Sequence, residues 1–240
     1  MRTRIRRGVA VALTVSALTF TAACGGSSDK GGDKADKGKD KAAEQPAEKP
    51  AATPLTAAQM KAGVLEAKDL PAGWKAESAP STDDQAKAEK PECQPLAQLM
   101  SDKIDGATMG GNQEFASADG ASLLAQQIFT MPGTGAADFV KSVETAAAAC
   151  ATFTMVQDGQ PVPVKAAPLP TVKAGESSTG VRLTMEIPEL KMKIESDVLI
   201  AQQSTGVMRL AYVPMNGEGH KAFDDLAKRG GDKFVKAAQG

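Results

Sequence analysis

Aromatic side chains are scarce. Seven Phe, one Trp and one Tyr serve 240 residues, so a core must be assembled from Ala, Val, Leu, Ile and Met. Histidine is scarcer, with His220 alone, and cysteine stops at three. Zinc cages and Cys/His nucleophile pairs need several such residues at fixed spacing, so neither a metal nor a cofactor is expected. A basic surplus is also lacking: 28 Lys and Arg stand against 29 Asp and Glu, and over residues 55–240 the balance is 18 to 23. A nucleic-acid binder presents a basic face interleaved with aromatics, so nucleic acid is not an expected partner.

What the chain does carry begins at residue 1. Arg2, Arg4, Arg6 and Arg7 precede an uncharged run from Gly8 to Phe20, and the first acid is Asp29. A bilayer span needs about 20 apolar residues, so this run of 13 suits the apolar segment of a signal peptide instead. Thr21-Ala22-Ala23-Cys24, continued by Gly25, Gly26, Ser27 and Ser28, resembles the bacterial lipobox. The resemblance implies cleavage before Cys24, a diacylglyceryl group with palmitate-type chains on its thiol, and residues 1–23 as a lipoprotein signal peptide. Two acyl chains at about 0.8 kcal/mol per buried CH₂ hold a protein stably to a membrane. The alternative is an ordinary secretory signal with an incidental cysteine.

Residues 24–54 then read as the lipidated cysteine and a disordered spacer. Six lysines alternate with six acids between Gly25 and Pro54, without an aromatic residue or apolar periodicity. Such a segment reaches about 100 Å when extended and roughly 30 Å on average. Alternating acids argue against a basic lipid-binding patch.

Residues 55–240 read as one extracytoplasmic domain. Thr56 and Gln59 match a capping box before Met60, Val64 and Leu65, which predicts a helix over 57–67, and a short helix is expected near Leu96, Leu99 and Met100. Residues 75–92 read as a polar loop. Apolar runs around Phe115 and from Leu123 to Phe129 read as paired strands. Val181, Leu183, Met185 and Ile187 alternate with Arg182, Thr184 and Glu186. Met192, Ile194, Val198 and Ile200 alternate with Lys193, Glu195 and Asp197, and Met208, Leu210 and Tyr212 follow the turn Ser204-Thr205-Gly206. This predicts a one-sided antiparallel meander over 180–213. Helices are expected from Gly135 to Cys150 and from Gly219 to Gln239, the latter kinked or broken at Gly230-Gly231. The fold class is therefore α+β, an antiparallel sheet with helices packed on one face.

With Cys24 assigned to lipid, Cys93 and Cys150 form an even pair in an exported chain, and a disulfide is the expected outcome, two buried thiols the alternative. The succession Asp69-Leu70-Pro71-Ala72-Gly73-Trp74, Cys93, Phe139-Val140 and Cys150, then the meander and a C-terminal helix, resembles actinobacterial exported sensor-like domains. These include the extracellular domain of PknH-type receptor kinases and many lipoproteins. The resemblance implies an antiparallel sheet with helices, cysteine crosslinks and a ligand cleft of unspecified chemistry. The second crosslink of the kinase domains has no cysteines here, and Ala147, Ala148 and Ala149 stand where a Trp often precedes the helix-end Cys.

No catalytic residue is assigned. His220, near Glu218 and Asp224, reads as a solvated or capping histidine at a polar helix start. Gly175-Glu176-Ser177-Ser178-Thr179-Gly180 misses the nucleophile-elbow spacing and reads as a loop. Gly133-Thr134-Gly135 reads as a turn with helix capping, because Asp138 would oppose a pyrophosphate. Met185, Met192 and Met208 read as inward core residues, and Trp74 as a plug at a core edge. The function expected is a membrane-anchored, extracytoplasmic ligand-binding or sensing lipoprotein, not an enzyme, with the membrane and a cell-envelope ligand or protein as partners. A carrier of an apolar lipid-like ligand is the alternative, and a cell-envelope hydrolase a more distant one.

Overall fold

The first helix starts where the capping chemistry of the sequence puts it. In the computed structural model, which describes residues 53–78, 85–157, 159–170, 172–187, 192–215 and 219–240, Thr56 Oγ1 accepts from the Gln59 amide at 3.2 Å. Gln59 Oε1 in turn accepts from the Thr56 amide at 3.0 Å. Helix α1 (Ala57–Gly63) begins there and ends before the expected residue 67. The buried side chain of Gln126 captures the Leu65 amide at 2.6 Å, and a 3₁₀ turn, Ala67–Asp69, takes over. The other helices are α2 (Gln94–Gln98), α3 (Gly135–Ala149) and α4 (Phe223–Gln239), the last preceded by a 3₁₀ turn at Gly219–Ala222. The signal segment, Cys24 and the spacer as far as residue 52 lie outside the described residues.

Nine strands form one antiparallel sheet: β1 (Trp74–Glu77), β2 (Lys87–Ala88), β3 (Thr108–Ser117), β4 (Ser122–Thr130), β5 (Thr152–Gln157), β6 (Gln160–Leu169), β7 (Ser177–Ile187), β8 (Met192–Gln203) and β9 (Gly206–Pro214). Their spatial order is β1-β3-β4-β9-β8-β7-β6-β5-β2. The expected strand pair is β3 and β4, and the expected meander is β7, β8 and β9. The polar loop over 75–92 differs: it contributes β1 and β2, the two edges of the sheet, whose shortness leaves little open ladder. The Gly175–Gly180 segment also differs, since Ser177–Gly180 opens β7 and Gly175 bridges to Gln202.

Prolines hid β6, the partner of β5. β5 pairs with residues 160–165 of β6, and β7 with residues 164–169. Pro161 and Pro163 thus lie where only β5 runs alongside, and Pro168 where only β7 does. Each missing N–H falls on a free flank and costs no ladder bond.

The α+β class and the antiparallel sheet stand, but the helices divide between both faces rather than covering one. Val198 and Ile200 pack with Phe139, Val143 and Leu96 under α2 and α3, while the alternate Leu199 and Ala201 pack with Leu226 and Phe234 under α1 and α4. The centre of β8 is therefore buried on both sides, and its alternation survives only where one face is open. Met208 is buried as expected; Met192, at the hairpin end, is 44% exposed.

α4 runs unbroken through Gly230-Gly231. These glycines serve close approach: an added Cβ would come within 2.6 Å of Leu210 Cδ1 at Gly230 and 2.7 Å of Ala174 Cβ at Gly231. On the opposite face Cys93, before α2, is bonded to Cys150, after α3, with a Cα separation of 5.9 Å. Arg209 of β9 is buried and donates to the carbonyls of Gln98 (2.9 Å) and Ser101 (2.7 Å) at the end of α2 and to Gln127 Oε1. Burial lowers its guanidinium to about 10, with Asp102 opposing the shift. Thr134 begins α3 without capping a backbone amide and bonds Asp138 Oδ2 at 2.7 Å instead.

Candidate functional site

Two places on the α1/α4 face gather functional side chains. The first is a groove of about 890 Å³ between α1, α4 and the 67–69 turn. Its floor is Ala58 and Ala62 of α1 with Ala237 of α4, which helical spacing puts on the facing stripes. Its rim carries Lys68, Asp69, Arg229, Asp232, Lys233 and Lys236. Lys233 holds the two walls together, reaching Asp69 at 2.6 Å and Glu66 at 3.2 Å. Burial, the largest single influence, pushes the Asp69 carboxyl up, but the hydrogen bonds from Lys233 and the Glu66 amide together with the charges of Lys233 and Lys68 leave the group below the usual aspartate range. Glu66 is lowered by Lys68 and then by Lys233. Arg229 pairs with Asp225 at 2.7 Å, and Asp232 with Lys228 at 2.6 Å. The groove thus has an apolar floor and a rim of mostly paired charges, a form that accepts a ligand without a deeply enclosed cavity.

The second place surrounds His220. Arg182 donates to Asp197 from Nε at 2.6 Å and from Nη2 at 2.9 Å, and Asp197 is 1% exposed. His220 Nδ1 lies 2.6 Å from Asp197 Oδ2, and Nε2 lies 3.2 Å from Glu195 Oε2. Lys193 reaches Glu195 at 2.8 Å and, ahead of burial and His220, draws its carboxyl below the ordinary glutamate range. Asp197 raises the Arg182 guanidinium. His220 is therefore neither solvated nor a helix cap, contrary to the sequence reading. Its partners come from β8, about 25 residues earlier in the chain. Both ring nitrogens lie against carboxylates, so in this arrangement neither is turned toward open space where a nucleophile could sit.

Among the described residues no group of His, Cys, Asp and Glu could hold a metal ion, and no helix is long and apolar enough to cross a membrane. Cys24 lies outside the described residues, and Trp74 packs at the core edge, its ring centroid 6.4 Å from that of Tyr212. The sequence reading missed the groove residues, because Lys233, Lys236 and the alanines carry no motif. It also missed the Arg182–Asp197 pair, although both residues are outward in the alternation.

Compared by sequence, the chain matches no protein-family model and no curated protein. Compared by structure, it superposes on the crystal structure of the extracellular domain of PknH from Mycobacterium tuberculosis with a TM-score of 0.55. That alignment has 15% identity and covers 78% of this chain and 98% of the other. The chain has the fold of the PknH extracellular domain. An uncharacterised protein from Mycobacterium smegmatis, the Rv0999 ortholog, aligns at a TM-score of 0.42 and 9% identity, over 72% of this chain and 93% of that one. The PknH-type fold agrees with the resemblance read from Asp69-Leu70-Pro71-Ala72-Gly73-Trp74 and the two cysteines.

Proposed function

We propose that this protein is a lipid-tethered, non-enzymatic module that binds a ligand of the cell envelope at the outer face of the membrane. The observation that carries the reading is the α1/α4 groove of about 890 Å³, whose volume falls within the range of small-molecule sites. The PknH-type fold supports an extracytoplasmic place, since the solved relative is itself an extracellular domain. The engagement of both His220 nitrogens by carboxylates speaks against hydrolysis in this arrangement, since among the described residues no nucleophile side chain is placed beside the ring. The arginine-led N-terminus and the residues before Cys24 support the tether. A carrier would have to enclose an apolar chain, and this groove is open to solvent along its length.

Native mass spectrometry of the protein extracted from its own membranes tests the reading. The expected result is a mass in excess of the lipidated polypeptide that disappears on denaturation. A bare polypeptide, together with no saturable response to an envelope extract, overturns it.

A further inference from the structure

We infer that His220 is a two-armed, proton-operated latch on the 219–222 turn, bridging Asp197 and Glu195 when its ring is charged and letting go of Glu195, while keeping Asp197, when the ring loses its proton. This goes beyond the ligand reading and stands apart from it.

The inference rests on counting donors. Ionised Asp197 and Glu195 can only accept hydrogen bonds, and they occupy both nitrogens of the ring, at 2.6 and 3.2 Å. An imidazolium satisfies both at once. A neutral ring has one N–H, so one nitrogen must then turn a lone pair toward a carboxylate. The two arms are unequal. Asp197 is buried, held by Arg182 through two hydrogen bonds and ranged beside Tyr212 of β9. Glu195 is more exposed and already has Lys193 at 2.8 Å and Thr184 at 3.5 Å. Deprotonation therefore keeps the single N–H on Asp197 and breaks the Glu195 arm, where the carboxylate has other partners to turn to. Among the described residues, Arg182, Lys193, Glu195 and Asp197 are the charged groups that face the ring from the sheet, and Lys221 and Asp224 flank it along the chain.

The turn stands at the entry to α4. It is four residues long, His220 is about one-fifth exposed, and its C-terminal end leads directly into Phe223, where α4 becomes anchored in the core. Loss of the Glu195 arm would free that side chain beside the polar half of the sheet, where Thr184, Lys165 and Glu186 line a second depression.

The test uses the full chain without added ligand, so its outcome is independent of the binding-module reading. Because His220 is the sole histidine, ¹³C-histidine labelling gives one imidazole resonance to follow against pH. The amide resonances of residues 219–222 are expected to move with the same midpoint. Their exchange protection, corrected for intrinsic rates, should fall about tenfold on the high-pH side. His220→Gln should show the open signature at every pH. Glu195→Gln should stay closed at high pH, because its amide can donate to the ring's lone pair. Turn resonances that ignore the His220 titration, or a Glu195→Gln chain that opens as the natural one does, overturn the latch.

Discussion

Arg182 and Asp197 face each other directly across the β7/β8 hairpin and share two hydrogen bonds, of 2.6 and 2.9 Å. The arginine is 30% exposed and the aspartate 1%, so Asp197 carries a buried charge that Arg182 offsets directly. Arg182→Met should therefore destabilise the domain by about 2 kcal/mol, below the usual cost of breaking a fully buried pair because water reaches the arginine. Arg182→Lys should recover only part, since a single ammonium cannot reproduce the two-point contact. Urea midpoints of the two variants and the natural chain measure both effects.

The Cys93–Cys150 bond closes a span of 57 positions and ties α2 to α3. Replacing both cysteines by serine should cost about 4 kcal/mol by the chain-entropy argument. Non-reducing peptide mapping should recover the two cysteines in one crosslinked fragment, and denaturation of the double variant should show the loss.

Acid should weaken the α1/α4 groove at Asp69. Its carboxyl is held below its ordinary value of 3.8 by Lys233, against the effect of burial. A depressed folded-state pKa contributes stability that is complete above the unfolded value and is lost as pH falls through the folded one. The contribution is therefore intact at neutral pH and disappears below about pH 4. Lys233→Met should remove about 0.5–1 kcal/mol at pH 7 and much less at pH 2.5, a convergence that paired urea titrations would show.

Gly231→Ala sets helix propensity against packing. Alanine gains about 1 kcal/mol in a helix interior, but its Cβ would lie 2.7 Å from Ala174 Cβ. Overpacking costs about 1–3 kcal/mol, so the variant should be net destabilised by about 1 kcal/mol, with an altered Ala174 methyl resonance.

Cys24→Ser should release the protein from the membrane fraction and abolish labelling by a fatty-acid tracer, if the lipobox resemblance governs processing. Unchanged fractionation and labelling would remove the anchor from the proposed function.

Local chemistry was legible in the sequence. The Thr56/Gln59 box marks the start of α1, period-two alternation marks β7 to β9, and an even pair of exported cysteines suggests their bond, because each signal lies within a few residues or in a count. The tertiary structure alone decided which surfaces are covered. Alternation states that Leu199 and Ile200 point opposite ways, but whether both sides are buried depends on helices from distant parts of the chain. Prolines concealed β6 because a strand's tolerance of a missing N–H depends on where its neighbours end. His220 met Asp197 and Glu195, more than 20 residues away in the chain, because sheet register and the entry to α4 converge there. Partners remote in the chain are chosen by packing over the whole domain, and no local pattern encodes that choice.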